Sequence, residues 1–419
     1  MKDTQIQNLI KKEEQRQREQ LQMIPSENYA SRDVLQAVGS VVMNKYSEGQ
    51  IGKRYYQGNA NIDDIEQLCK DRAYKLFKVS PKEWGLNVQA FSGGIANLAV
   101  YTALLNTGDK LMGMFLYDGG HLSHGWKLPD GKAVSFTSIL FESANYKVNP
   151  ESGYFDYDEV EKQVLIEKPK ILISGGTAYP RQIDHKRLSE IAKKVGAYYM
   201  ADIAHEAGLV ATGVNDSPFE YADIVTMTSR KTLRGPIGAL IFSRIDLSEK
   251  IDYAVFPRLQ GGPPNHQIAG IAVALNEALQ PEFKTYTKQI IKNAQTLAEE
   301  LSTLGLKIVS GGTDKHLLLI DLTTINVDSI DAALALEKAN IICNKNTVPG
   351  ETRKPWRPSG LRFGTPALTS RGMKETDMKK IAVWINTVLR NISNEEVINK
   401  VGREVKEFSV GFKVPGIDD

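Results

Sequence analysis

An α/β fold with a mostly parallel sheet, joined to a smaller α+β carboxyl-terminal part, is predicted by two features of the 419-residue chain. Between residues 84 and 243, short apolar runs alternate with segments of helical period, and beyond residue 281 the pattern changes to mixed strands and helices. Strands that alternate with helices imply right-handed crossovers and a sheet covered on both faces. The length also exceeds what one apolar core fills, so a large and a small domain are expected.

Taken in order, residues 1–22 read as a polar helical arm, either solvated or reaching a partner subunit, without the apolar centre of a signal peptide. The large domain is expected over 23–280. In it NVQAFSGG (87–94) reads as a strand broken by a glycine pair, and IANLAVYTALLNTG sets Ile95, Leu98, Ala99 and Thr102 on one helical face before stopping at Gly108. KLMGMF, KILISGG, AYYMADIAHEAG, ADIVTMT and GALIFSR read as further strands. A helix begins near Asp184, carries Leu188, Ile191, Ala192 and Val195 on one face and stops at Gly196. The segment 281–304, with Tyr286, Ile290, Ile291, Ala294 and Leu297 in phase, connects to a small domain over 281–419. There KIVS, HLLLIDL, IICNK and LRFGTPA read as strands, and SIDAALALEKAN, MKKIAVWINTVL and EEVINKVGREVKEF as helices.

Composition narrows the partners. The 52 basic and 50 acidic residues nearly cancel, leaving a formal charge of +2, which argues against a nucleic-acid or anionic-membrane partner. No apolar run approaches the roughly 18 residues of a membrane span, so a small-molecule substrate is the expectation. Cys69 and Cys343 form no CxxC pair, which suggests neither a zinc site nor a disulfide framework and fits a reducing cytoplasm.

In open α/β sheets, ligands bind beyond the carboxyl ends of the strands, and four polar groups fall there. Ser92-Gly93-Gly94 precedes a helix, where backbone N–H groups can approach a phosphate; the same pattern also makes a plain tight turn. Asp202 ends a buried strand and needs a partner, either a protonated heterocyclic nitrogen or a structural cap or salt bridge. Lys231 follows ADIVTMT, where lost solvation favours the neutral amine that Schiff-base chemistry requires. Phosphate cradle, ring-nitrogen acid and lysine together point to pyridoxal 5′-phosphate. His121 and His124 stand at zinc-like spacing, but no cysteine or HExxH motif accompanies them; His121 suits stacking on a flat cofactor, His124 a structural role, and no metal site is expected.

Eight segments, in order, resemble the serine hydroxymethyltransferase family: IPSENYAS (24–31), NKYSEGQIGKRYYQG (44–58), DGGHLSHG (118–125), ADIAHEAGLV (201–210), RKTLRGP (230–236), QGGP (260–263), CNKNTVPG (343–350) and SGLRFGTPALTSRG (359–372). The resemblance implies the aspartate-aminotransferase-like fold (fold type I) and a homodimer, or dimer of dimers, with shared active sites. It implies that Lys231 holds the aldehyde of pyridoxal 5′-phosphate, Asp202 its ring nitrogen and His121 its ring face. His205 and Thr177 would lie near its 3′-oxygen, and Ser92, Gly93 and Gly94 at its phosphate, with Tyr46 and Gly262 arriving from the neighbouring subunit. Arg362 would grip the amino acid's carboxylate, while Ser26, Tyr56 and Glu48 would surround the bond being cleaved, Glu48 transferring the proton. Tyr55, Leu116, Gly120, Leu122 and Asn346 match the lining of the tetrahydrofolate site.

The match departs from the family pattern mostly near that site: at Gly94, Ile95, Asp118, Pro180, Arg230, Ile237, Gln50, Ile51, Trp356 and Pro358. The implied activity is serine hydroxymethyl transfer. A paralogue performing aldol, transaldol or α-substituted-serine chemistry is the alternative these departures leave open.

Overall fold

The computed structural model describes residues 1–128, 130–354 and 356–419. Seven strands build the central sheet, in the spatial order Trp84–Asn87, Ala239–Arg244, Ile224–Thr228, Tyr198–Asp202, Ile171–Ser174, Lys110–Met114 and Glu142–Tyr146. Ala239–Arg244 runs antiparallel to both neighbours, and the remaining pairs are parallel. Successive residues of each strand point to opposite faces. Thus Leu172, Tyr199, Val225 and Phe242 enter one apolar core, while Ile171, Ile173, Met200, Ile224 and Ile241 enter another on the far side. A sheet buried on both faces is why these strands read as continuous apolar runs.

Several details differ from the sequence reading. The strand expected over 87–94 is instead Trp84–Asn87, because the Asn87 side chain accepts from the Gln89 N–H (2.9 Å) and donates to Asp252 (2.7 Å), turning the chain. The edge strand Glu142–Tyr146 carried no signal: only Tyr146 is fully covered, so its sequence stays polar. The helix Tyr157–Glu167, within the alternation, and the helices Ala60–Phe77 and Asn265–Ala278, outside it, were not read from the sequence.

The second sheet is antiparallel, ordered Lys307–Ile308, Leu317–Asp321, Gly360–Gly364, Asn344–Asn346. Helices Ser329–Lys338, Glu375–Arg390 and Glu395–Ser409 enclose with it a separate apolar core containing Leu318, Ile320, Phe363, Trp384 and Val405. IICNK splits in two: Ile341–Ile342 pairs in parallel with Leu21–Gln22, whereas Asn344–Asn346 joins the sheet. The helix Pro281–Thr303 links the cores, placing Ile290 in the first and Leu297 and Leu301 in the second.

The amino-terminal helix Thr4–Glu19 buries none of its residues, so something other than apolar packing must fix it. Arg371, itself buried, donates to the carbonyls of Gln17, Arg18 and Gln20 at its end (3.0–3.1 Å), to that of Ser409 at the end of the last helix and to that of Phe412 just beyond it. A guanidinium is suited to this because helix carboxyl ends expose unpaired carbonyls and partial negative charge. Arg371→Met, similar in volume but without donors, is expected to lower stability by roughly 2–4 kcal/mol. A fall in the urea midpoint at unchanged m-value checks this.

Candidate active site

Lys231 sits in the tight loop between two antiparallel neighbours of the central sheet, Ile224–Thr228 and Ala239–Arg244. Gly235 N–H donates to the Ser229 carbonyl (2.8 Å), and Arg234 closes the turn at φ +59°. From the amino-terminal segment, Asn28 donates to the Lys231 carbonyl (2.9 Å) and to the Tyr286 hydroxyl (2.7 Å). The ammonium is buried, and loss of solvation pushes its pKa down to about 8; Arg362 and Arg230 push the same way against the opposing pull of Asp202.

Asp202 ends the adjacent parallel strand. Burial by itself raises a carboxyl pKa. Here it is outweighed by the hydrogen bond and charge of His124, the nearby His121 and the Asn97 amide, so Asp202 is held well below the usual carboxylate range. Asn97 Nδ2 donates to Asp202 Oδ2 at 2.8 Å, His124 Nε2 lies 3.1 Å from the same oxygen, and Ala204 N–H donates to Oδ1 at 3.0 Å. His124 is thus more than packing: it supports the carboxylate directly. Donor atoms of His121, His124 and Asp202 lie within 4.8 Å of one another, a spacing explained by that support.

One cavity gathers Ser92, Gly93, Gly94, His121, Thr177, Asp202, His205, Arg230, Lys231 and Ile237. Ser92 precedes the helix Gly93–Leu104 with no side-chain cap on its first N–H groups. A Cβ at Gly93 would meet Thr228 Cγ2 at 2.7 Å, whereas one at Gly94 would meet nothing within 4 Å. The glycine requirement is therefore at Gly93, and Gly94 only leaves space. His121 accepts from Ser123 N–H through Nδ1 (3.2 Å), and burial lowers its pKa to about 4, helped by His124. A neutral ring faces the cavity.

Arg362 comes from the second sheet. It does not line the cavity itself but donates to the carbonyl of Thr177, which does, and to Asn344 Oδ1 (3.0 Å). Among the described residues it has no carboxylate partner, and burial pushes its pKa down to about 10. A buried, uncompensated guanidinium calls for an anion.

Not all expected residues share this cavity. Ser26 lines an adjoining groove with Arg230 and Ile237. Tyr46, Glu48, Tyr56 and Gly262 form a second cluster in the same chain: Tyr46 and Tyr56 meet edge to face at 5.3 Å, and Cβ atoms built at Gly262 and Gly261 would stand 3.2 Å from the Tyr46 ring and 3.1 Å from Glu48 Oε1. Tyr55 packs on Phe256 at 5.6 Å. Leu122 is exposed beside His121, Leu116 and Gly120 border the same loop, and Asn346 lies on the outer strand of the second sheet.

Sequence reading missed Asn97, whose signal was an amide inside the apolar helix IANLAVYTALL, and Arg54. The latter donates to the carbonyls of Ser47 and Gly49, on either side of Glu48, while paired with buried Glu66 (2.7 Å) and with Asp63 (2.8 Å). It also missed His316, which touches His205.

The donor set fits pyridoxal 5′-phosphate: a helix start that only glycine permits, an ionised acid, a neutral ring and a lysine of lowered pKa. Comparison with known proteins agrees. A family model described as serine hydroxymethyltransferase matches residues 1–385. The chain is similar to a serine hydroxymethyltransferase from Acidothermus cellulolyticus, at 50% identity over 99% of this chain and 96% of the relative. It is equally similar to a cytosolic one from Oryctolagus cuniculus, at 50% over 99% and 93%. A third, from Caenorhabditis briggsae, is 47% identical over 99% and 88%.

The chain belongs to the serine hydroxymethyltransferase family. As a member it is a pyridoxal 5′-phosphate-dependent hydroxymethyltransferase with tetrahydrofolate as co-substrate. Its reaction moves the hydroxymethyl group of serine to tetrahydrofolate and leaves glycine. The fold is that of the family's fold type I class.

For a serine hydroxymethyltransferase whose lysine titrates near 8, the amine is mostly protonated at pH 7 and mostly neutral at pH 9. Since only the neutral amine attacks an aldehyde, uptake of pyridoxal 5′-phosphate by the apoprotein should accelerate with pH through a midpoint near pH 8 and level off about one unit above it. Stopped-flow absorbance at varied pH measures this, and a midpoint near the ordinary 10.5 would contradict the burial argument.

Proposed function

We propose that the catalytic parts divide between two copies of this chain. One copy supplies Lys231, Asp202, His121, His205, Thr177 and Ser92–Gly94 to hold pyridoxal 5′-phosphate, and Arg362 to bind the substrate carboxylate. The other supplies Tyr46 and Gly262 to the phosphate and Glu48 and Tyr56 to the reacting side chain. The observation that carries this assignment is the meeting of buried Lys231 and ionised Asp202 in one cavity with the glycine-led helix start. Bound there, the cofactor supplies an electron sink for the pair left on Cα when the Cα–Cβ bond of serine breaks.

The chain's own groups do the rest. Asp202 would hold the ring nitrogen in its protonated form, because an ionised acid beside that nitrogen favours it. His121 would pack against the ring without adding charge. The fork of Arg362 fixes the carboxylate in one plane, which sets the bond to be broken relative to the cofactor. Glu48, on a backbone clamped by Arg54, takes and returns the substrate's hydroxyl proton. Tyr55, Leu116, Gly120, Leu122 and Asn346 form the folate edge. Trp356, whose neighbouring loop is tied by Lys345 Nζ donating to its carbonyl (3.0 Å), adds an aromatic surface there.

Sharing between subunits is supported by exposure. Tyr46, Tyr55 and Tyr56 are 55%, 70% and 45% exposed in the single chain, a grouping of exposed aromatic surface of the kind that marks an interaction site. A division into residues 1–22, 23–280 and 281–419 and a cytoplasmic location complete the proposal. The latter is supported by relatives named cytosolic, and no helix among the described residues is long and apolar enough to cross a membrane.

Two measurements test the assignment. Arg362→Lys keeps the charge and loses the fork, so serine and glycine should bind more weakly by roughly 2 kcal/mol while cofactor absorbance persists. Unchanged affinity removes Arg362 from the site. Mixing inactive Lys231→Ala chains with inactive Glu48→Ala chains should restore part of the activity through hybrid dimers, and none should return if each chain holds a complete site.

A further inference from the structure

His205 and His316 join the two sheets of the molecule through their rings. His316 immediately precedes the buried strand Leu317–Asp321, is fully buried, and places Nε2 3.1 Å from Nδ1 of His205. The rings are only 26° from coplanar with centroids 5.3 Å apart. That separation is the N–N distance plus about one ring radius at each end, so the contact is an in-plane hydrogen bond rather than face-to-face stacking.

Both rings are neutral. Burial depresses each pKa first, and Lys231 and Arg362 press on both, with Lys315 added at His316. Two neutral imidazoles can share one proton in either of two ways. If His205 donated, His316 would carry its proton on Nδ1, and that atom is buried with no partner. A buried N–H without an acceptor is rarer and costlier than a bare lone pair. If His316 donates from Nε2, its Nδ1 is only an unused acceptor. His205 then accepts at Nδ1 and must carry its own proton on Nε2. This second nitrogen has no hydrogen-bond partner among the described residues and is not among the fully enclosed atoms, while His205 lines the cavity beside Lys231 and Asp202.

We infer that His316 is a positioning residue: it locks His205 in the Nε2–H tautomer, so that the cavity receives a fixed hydrogen-bond donor aimed at an anionic oxygen of the bound cofactor. This rests on the cofactor assignment made above. It gives the second sheet a role at the cofactor's ring distinct from Arg362, which serves the substrate carboxylate. The proton on His205 is decided by a residue 111 positions away in sequence.

Ring-nitrogen NMR of the holoenzyme with 15N-labelled histidine tests this, the His205 signals being assigned from their loss in His205→Gln. The expected result is a pyrrole-type Nε2 and a pyridine-type Nδ1 at neutral pH. The reverse pattern, or a doubly protonated ring, overturns the inference. His316→Gln keeps an N–H donor at the position of Nε2 and should preserve both the tautomer and cofactor retention. His316→Leu removes the donor; the His205 signals should then show a mixture of tautomers, with dissociation of pyridoxal 5′-phosphate strengthened about tenfold, one hydrogen bond's worth. Should His316→Leu fail to fold, the wild-type spectrum and the glutamine variant still decide. A wild-type tautomer as expected also stands if Arg362 or the subunit-sharing assignment fails, so the two readings are tested separately.

Discussion

Keeping Asp202 ionised where water is excluded is the constraint on which the rest of the site depends. A carboxylate removed from water has its charged form disfavoured, and without compensation it would take up a proton. The structure compensates from three directions. Asn97 arrives on the helix that begins at the glycine cradle, His124 on the short turn after His121, and Ala204 N–H from the chain just beyond the strand. The elements that support Asp202 are thus the ones that shape the cofactor cavity. Lys231, on the neighbouring strand's loop, experiences the opposite balance: burial favours its neutral form, and Asp202 limits how far the shift goes.

A second dependence lies at the seam between the sheets. Among the contacts that cross it are Arg362 to the Thr177 carbonyl, His316 to His205, Lys315 to Glu206 at 3.0 Å with both groups buried, and Arg181 to Asp314 at 2.8 Å. A buried ion pair adds little net stability against an apolar alternative, yet it is very unfavourable to separate. Lys315 and Glu206 therefore act as a register pin, fixing where the second sheet presents His316 and Arg362. The long helix Pro281–Thr303, shared by both cores, limits rotation about that pin.

The strands at 110, 171, 198, 224 and 239 were legible because a sheet buried on both faces imposes unbroken apolar runs. Glu142–Tyr146 was not, since an edge strand may stay polar. Lys231, Asp202 and the cradle could be read locally, each being a polar group at the end of an apolar run. Gly93 and Gly94 looked alike in sequence; only the neighbouring Thr228 methyl distinguishes the glycine that is required from the one that is not. His124 was read as structural, and its contact with Asp202 spans 78 positions of sequence. No local pattern carries such a pairing.

By itself, the sequence determined the α/β alternation of the buried strands, the chemistry available at their ends and the family, because these depend on periodicity and on residues close together along the chain. Tertiary structure decided which charges are compensated. Whether Asp202 is ionised, how readily Lys231 gives up its proton, whether Arg362 lacks a carboxylate and which nitrogen of His205 is protonated depend on desolvation and on partners brought from distant segments. Those quantities are set by distance and dielectric, and neither exists until the two sheets close on one another.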